Sequence, residues 1–220
     1  STISGSGPNS AIIHYKASVK SNRALKKGDL YLVDSGGQYS FGTTDVTRTI
    51  SLDNNSNFIK EIYTRVLKGH IAVSNYKINK NSKGSDVDRN ARKALKKVKL
   101  DYPHGTGHGV GYFLNVHEGP QSLSKNNKIT LKSGMIISNE PGFYKEGYFG
   151  IRIENLVYIK KNKFEELTLA PIEKNLINKK ILNQGEINWI NNYHNKVKKS
   201  LYGFMNLKEK TDLVKACSPI

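Results

Sequence analysis

A single cysteine, Cys217, excludes an intrachain disulfide and leaves no thiolate set for a structural zinc or iron–sulfur site. That usage fits a reducing compartment, so the sequence reads as cytoplasmic. No apolar run reaches the roughly 18 residues that a membrane span needs, and no membrane partner is expected. The first twenty residues, with Pro8 and scattered Ser and Gly, lack the basic-then-apolar layout of a signal peptide. Arginine is scarce too: six of 35 basic residues, the rest being scattered lysines often beside asparagine. Arginine is the side chain that grips phosphate bidentately. The net charge of +17 therefore implies non-specific attraction to polyanions, and no specific nucleic-acid partner is expected.

What the chain does have is acid in apolar company. Leu30-Tyr31-Leu32-Val33 leads into Asp34, and Gly42-Thr43-Thr44 into Asp45. Met135-Ile136-Ile137 precedes Glu140, and Ile151 and Ile153 flank Arg152 before Glu154. A charge placed in a buried strand is expensive unless it is paired or bound to metal. Between these segments lies His104-Gly105-Thr106-Gly107-His108-Gly109-Val110-Gly111, followed by Asn115-Val116-His117-Glu118. Four glycines in eight residues exclude a regular helix there.

The 220 residues suit one domain with an appendage. Residues 24–50 read as a hairpin, with Asp29 to Asp34 as one strand, a turn or bulge at Gly36-Gly37, and β-branched alternation from Thr43 to Ile50. Residues 57–76 read as a helix carrying Phe58, Ile62 and Val66 on one face. A second helix is expected over Ser85 to Val98, with Ser85 as cap and Val87, Ala91, Ala94, Leu95 and Val98 inward. Residues 129–140 and 149–160 read as strands around a turn at Pro141-Gly142, and Glu186 to Tyr202 as a late helix. Each hairpin thus offers two acids to a shared centre. The simplest arrangement is α+β, a curved, largely antiparallel sheet backed by helices.

Four carboxylates carry about −4, which two divalent cations balance. One neutral imidazole completes an oxygen-rich, thiolate-free set. Such a set suits manganese, cobalt or zinc, because calcium and magnesium use histidine little. Two such ions about 3.5–4 Å apart activate water and polarise a carbonyl. Taken singly, each element has a plainer reading. Asp34 and Glu140 could be turn acids, Asp45 a strand-edge acid, and Glu154 the partner of Arg152. The His-Gly stretch could be a tight turn. It superficially resembles a phosphate loop but lacks the strand–loop–helix frame and the following Lys-Ser/Thr. The three segments together favour the metal reading.

Longer motifs carry a family resemblance. Gly7-Pro8-Asn9, Ala11-Ile12-Ile13-His14-Tyr15, Thr43-Thr44-Asp45-Val46-Thr47-Arg48-Thr49, Val66 to Val73, the histidine and glutamate segments, and Trp189-Ile190-Asn191-Asn192-Tyr193-His194 all contribute. With them the chain resembles the catalytic domain of aminopeptidase P, in the pita-bread metallopeptidase family. The resemblance implies a fold of two pseudo-symmetric halves. It implies Asp34, Asp45, His108, Glu140 and Glu154 as ligands of two ions, most often manganese, with Asp45 and Glu154 joining both. His117 would stabilise the tetrahedral intermediate, His14 and His104 would line the site, and Glu140 would shuttle a proton. The implied substrate is a peptide with proline at the second position. A prolidase-like dipeptidase and a metal-free binding module are the alternatives, the latter usually lacking several of these ligands.

Phe41 departs from the pattern, which usually has an acid there. The resemblance divides the chain into a catalytic domain over 1–182 and a helical extension over 183–220. It also implies structure preceding Ser1, so that apolar residues around Leu30 and Leu32 would be left uncovered. His70 and His194 have no place in the pattern and read as structural. Trp189, Ile190, Tyr193 and Val197 form an apolar face on the late helix; it either packs on its own domain or, as the resemblance favours, forms the seam of a homodimer.

Overall fold

The computed structural model describes residues 2–113 and 115–220. It opens with strand β1 (Ile3–Ser6) and a 3-10 turn over Gly7–Ala11. Then come β2 (Leu30–Ser35), a small ribbon of β3 (Gln38–Tyr39) and β4 (Gly42–Thr43), and β5 (Val46–Ser51). Strands β1, β2 and β5 form one antiparallel sheet in that order, with Leu30 opposite Ser51 and Ser35 opposite Val46. The strands of the first hairpin are where the alternation put them, but its tip lies at Ser40-Phe41, between β3 and β4, and not at Gly36-Gly37. Leu30 and Leu32, expected to lie uncovered, are each only 1 % exposed. Leu30 joins a core shared with the helix that follows, so the chain covers this face itself.

Helix α1 (Asn57–Ser74) starts where the Ser56 hydroxyl accepts the Ile59 N–H at 3.3 Å. Ile59, Ile62, Tyr63 and Val66 are buried along it. Phe58, expected on the same face, is 44 % exposed; it sits in the first turn and meets the Phe149 ring edge-on. Helix α2 (Gly84–Lys96) begins earlier than Ser85. The Asp86 carboxylate accepts the Lys83 N–H at 3.1 Å, so Lys83 is the cap and Ser85 lies inside the first turn. Val98 falls beyond the helix end and is exposed.

The second half contains β6 (Gly107–His108), β7 (Ser122–Leu123), β8 (Ile136–Asn139), β9 (Gly142–Lys145), β10 (Phe149–Arg152), β11 (Asn155–Lys160) and β12 (Lys163–Glu166). The strand expected from residue 129 begins only at Ile136. Before it, the Met135 N–H turns back to the Lys132 carbonyl. Pro141-Gly142 is not the hairpin turn either; that lies at Gly147, with φ of 68°. Strand β8 pairs with β11, and β9 with β10, all antiparallel. The second hairpin is thus one long ribbon with a bend across both arms. Pro141 has no N–H for the ladder, and its carbonyl accepts the Ile153 N–H at 3.3 Å instead. Glu140 and Glu154 sit at the two arms of that bend.

The halves meet where β5 runs beside β10. The Glu154 N–H donates to the Thr47 carbonyl at 3.0 Å, and the Thr49 hydroxyl bonds both the N–H and the carbonyl of Arg152. Helix α3 (Gln184–Leu201) starts at an Asn183–Glu186 capping box, and α4 (Leu207–Ala216) at an Asn206–Glu209 box. Ile190 and Val197 are fully buried and Tyr193 nearly so, with Trp189 stacked on the Tyr193 ring at 5.3 Å. The apolar face read as a dimer seam is spent inside the chain. It closes the core that also holds α1, β10, Leu213 and Cys217. A second apolar cluster lies under α2 and the β8–β11–β12 sheet. Among the described residues no helix is long and apolar enough to cross a membrane.

Candidate metal centre

Three of the four acids stand just outside the strand pairing, and Asp34 lies within it. Asp34 lies near the end of β2, opposite Thr47, and Asp45 just precedes β5. Glu140 and Glu154 stand at the bend of the second ribbon. His108 is brought in by β6, which can lie over β8 only because residue 107 is glycine. A Cβ there would come within 1.8 Å of the Ser138 carbonyl oxygen. The Ser138 hydroxyl then accepts the His108 N–H at 2.9 Å and donates to Glu140 Oε1 at 3.0 Å.

The five side chains converge. Ligand atoms of Asp34, Asp45 and Glu154 lie within 4.8 Å of one another, as do those of His108, Glu140 and Glu154. Glu154 belongs to both groups. Asp45 reaches the second, its Oδ2 standing 3.5 Å from His108 Nε2. The surrounding cavity of about 840 Å³ is lined also by His14, His104 and His117. His117 is exposed, and its ring stacks edge-on against His108 at 4.1 Å. One of its nitrogens forms a third close group with Asp45 and His108, a proximity that the sequence did not suggest. His70 and His194 are fully buried and do not line the cavity.

Burial comes first in setting the electrostatics. It pushes Glu140 up to about 8, with the Glu154 charge adding to the rise. It also pushes Glu154 up to about 8, with the charges of Asp45 and Asp34 adding. Asp34 is raised by burial and by Asp45, against the pull of Arg152. Burial lowers His108, but the carboxylates of Asp45 and Glu140, which favour a proton on Nε2, outweigh it, so its net shift is upward. Burial leads the rise of the three acids, and the repulsion that adds to it reflects a lack of positive charge in the cluster.

A divalent pair fits that lack. His108 Nδ1 lies 2.9 Å from the Gly109 carbonyl, which can only accept, so Nδ1 carries the proton. Nε2 then turns a lone pair toward Asp45 and Glu140 at 3.5 and 3.6 Å. A lone pair beside two carboxylates is repulsive without a cation or proton between them. A histidine whose other nitrogen donates to a backbone carbonyl is also the usual orientation of a metal ligand. Oxygen donors with one nitrogen and no sulfur suit hard or borderline divalent ions.

Three supporting residues were not legible beforehand. Arg152, read as a partner for Glu154, instead pairs with Asp34, Nη2 to Oδ2 at 2.6 Å, and is 3 % exposed. Its Nη1 donates to the Tyr144 hydroxyl at 2.9 Å. That hydroxyl lies 2.9 Å from His104 Nε2, while His104 Nδ1 donates to the Gly105 carbonyl. The tautomer makes Nε2 the acceptor, so a continuous line runs Asp34–Arg152–Tyr144–His104. Burial, and then the nearby Arg152, Arg92 and His14, hold His104 down to about 4, and it stays neutral. The Thr47 hydroxyl donates to Glu154 Oε2 at 2.6 Å. Thr47 and Arg152 stand within recognisable motifs, but the contacts span more than a hundred residues and leave no local spacing signal.

Comparison with known proteins agrees with this geometry. Residues 1–161 match the model of metallopeptidase family M24, and residues 161–220 that of the C-terminal region of peptidase M24. A probable Xaa-Pro aminopeptidase P of Laccaria bicolor is 47 % identical over 88 % of this chain and 32 % of its own length. Xaa-Pro aminopeptidase 1 of Dictyostelium discoideum is 46 % identical over 96 % of this chain and 35 % of its own. The chain therefore spans about a third of the length of these relatives. The crystal structure of an X-prolyl aminopeptidase from Caenorhabditis elegans, described as a cytosolic enzyme with a di-nuclear active site, superposes with a TM-score of 0.93. It is 40 % identical over all of this chain and 38 % of that one. A prolidase from Pyrococcus furiosus gives a TM-score of 0.70 and 33 % identity over 77 % of this chain and 49 % of that one.

Proposed function

The chain belongs to metallopeptidase family M24 and has its pita-bread fold, and from that premise we propose that it is a metal-dependent aminopeptidase that releases the N-terminal residue from peptides with proline second. The observation that carries this reading is the convergence of Asp34, Asp45, His108, Glu140 and Glu154 on two overlapping groups that share Glu154. Manganese is the proposed ion pair, with cobalt or zinc also accepted by the donor set. The likeness to a neighbour described as cytosolic extends the proposal to a cytoplasmic protein.

Bound there, two divalent cations supply a more acidic water and a polarised carbonyl. The remaining work falls to the chain. Asp34, Asp45, His108, Glu140 and Glu154 would hold the ions, with Asp45 and Glu154 the acids close enough to both groups to be shared. Arg152 holds Asp34 in place. Glu140, on the bend beside the attacking water's place, is the group that would take the proton from the water and pass it to the leaving nitrogen. His117, on the cavity wall, is the donor for the carbonyl oxygen as negative charge builds on it. His104, held neutral, and His14 border the space left for the proline side of the bond.

The test is a manganese-supplemented assay on Xaa-Pro-Xaa peptides beside Xaa-Pro dipeptides and Xaa-Ala-Xaa controls. Release of the first residue from Xaa-Pro-Xaa, lost on chelation, is expected. Cleavage of the dipeptides alone would make it a dipeptidase, and no cleavage of either would overturn the reading.

A further inference from the structure

Glu140 and Glu154 leave the same end of one antiparallel ladder, and their immediate neighbours Asn139 and Asn155 face each other across it, both fully buried. A chain of hydrogen bonds runs behind that pair. Arg48 Nη1 donates to the carbonyl of Glu154 itself at 2.6 Å, and Nη2 donates to Asn155 Oδ1 at 2.7 Å. Asn155 Nδ2 donates to Glu166 Oε2 at 2.6 Å. The other oxygen of Glu166 accepts the Ser74 hydroxyl of α1 at 2.5 Å. Asn139 Nδ2 donates to the same hydroxyl at 3.3 Å and to the His70 carbonyl at 3.0 Å.

Resting on the metal reading above, we propose that Glu166 is a positioning residue for the two glutamates. It clamps Asn155 to α1, and through Arg48 and Ser74 it fixes the backbone on both sides of the bend from which Glu140 and Glu154 project. Arg48 is 7 % exposed and makes six hydrogen bonds, all to carbonyl, amide or hydroxyl oxygens and none, among the described residues, to a carboxylate. Its charge is answered one residue removed, by Glu166 through Asn155. Removing the Glu166 side chain leaves the buried Asn155 amide N–H and the Ser74 hydroxyl without their acceptor, and the groups free to move in response are those that set the spacing of Glu140 and Glu154. Glutamine can restore both contacts, accepting from Asn155 and donating to Ser74, whereas alanine restores neither.

The test compares wild type, Glu166→Gln and Glu166→Ala as full chains. Manganese titration of chelator-treated protein gives affinity and stoichiometry, the EPR signal of coupled manganese ions reports their spacing, and the melting point of the metal-free form reports the fold. Outer partners of ligands are worth about 10–100-fold in metal affinity. Glu166→Ala is expected to lose that much and to weaken the coupled signal, and Glu166→Gln to stay within about threefold of wild type on the same scale. Ser74→Ala, which releases only the α1 side, should shift affinity in the same direction if Glu166→Ala does not fold. Two ions bound by wild type and by both alanine variants with equal affinity and equal coupling would overturn this inference alone. A wild-type chain that binds no ion would overturn the metal reading and this inference with it.

Discussion

His117 can be separated from the five converging residues by one substitution. It is exposed on the cavity wall, and removing it leaves both acid groups of the proposed centre intact. His117→Ala is therefore expected to lower turnover about 10²–10³-fold, the worth of one donor to a developing oxyanion, with two ions still bound by elemental analysis. Unchanged turnover would refute the donor role, and loss of an ion would show that His117 instead supports the metal through its close group with Asp45 and His108. Arg152→Ala tests the other wall. It strips a buried counter-charge from Asp34, a change worth on the order of 3–5 kcal/mol when one partner of a buried pair is removed. Here the remaining carboxylate is 21 % exposed, so a loss at the low end is expected in the melting curve of the metal-free protein. An unchanged midpoint would refute the pairing as a source of stability. The four acids and one histidine were legible because they stand in or beside apolar or glycine-rich runs. Arg152 was legible as a residue but not as a partner: pairing it with Glu154, two positions along the strand, ignores that its partner Asp34 comes from the other half.

Elements were legible where one physical signal dominated. The face of α1 and the strands of the first hairpin follow periodicity alone. The start of α2 does not, because Asp86 captures the Lys83 N–H and outcompetes the serine cap. The bend of the second ribbon was read as its turn because Pro141-Gly142 has turn chemistry; which arm it pairs with is a tertiary fact. Helix α3 shows the same limit, since its apolar stripe is visible in sequence but not what covers it. The buried His194 on α3 accepts the Ile172 N–H at Nε2, tying the helix to the segment after β12. Burial and then Lys174 hold it down to about 4. With the unfolded value near 6.5, the stability it supports is complete above pH 6.5 and is lost as pH falls toward 4. That is on the order of 3 kcal/mol over the window. His194→Gln should flatten the decline of stability between pH 6.5 and 4 by close to one proton in denaturant titrations. An equal slope in wild type and variant would assign the acid sensitivity elsewhere, His70 being the next candidate because burial holds it still lower.

At the scale of the molecule, two bent ribbons from opposite halves bring their acids to one place, and the fold is stable only to the extent that something offsets the charge. Glu140 and Glu154 are both raised to about 8, from ordinary values near 4.5, first by burial and then by neighbouring carboxylates. The sign follows from the direction of the shift. A carboxyl raised on folding supports the folded state fully below pH 4.5 and loses that support as pH climbs to 8. Below pH 6.5 the buried histidines act the other way, so the clean window is pH 6.5–8. There the chelator-treated protein should melt at progressively lower temperature as pH rises. Added manganese should remove that slope and raise the melting point more at pH 8 than at pH 6.5, because cations take the place of protons on the same oxygens. Uptake should also release protons, visible as a binding enthalpy that changes with the ionisation enthalpy of the buffer. Asp45→Ala and Glu154→Ala should lose both ions, since each is proposed to touch the pair, and with them the manganese effect on melting. A chelated protein whose melting point is flat or rises between pH 6.5 and 8 would mean that these acids are not held in repulsion. The converging carboxylates would then need no cation, and the argument for a dinuclear centre would rest on likeness alone.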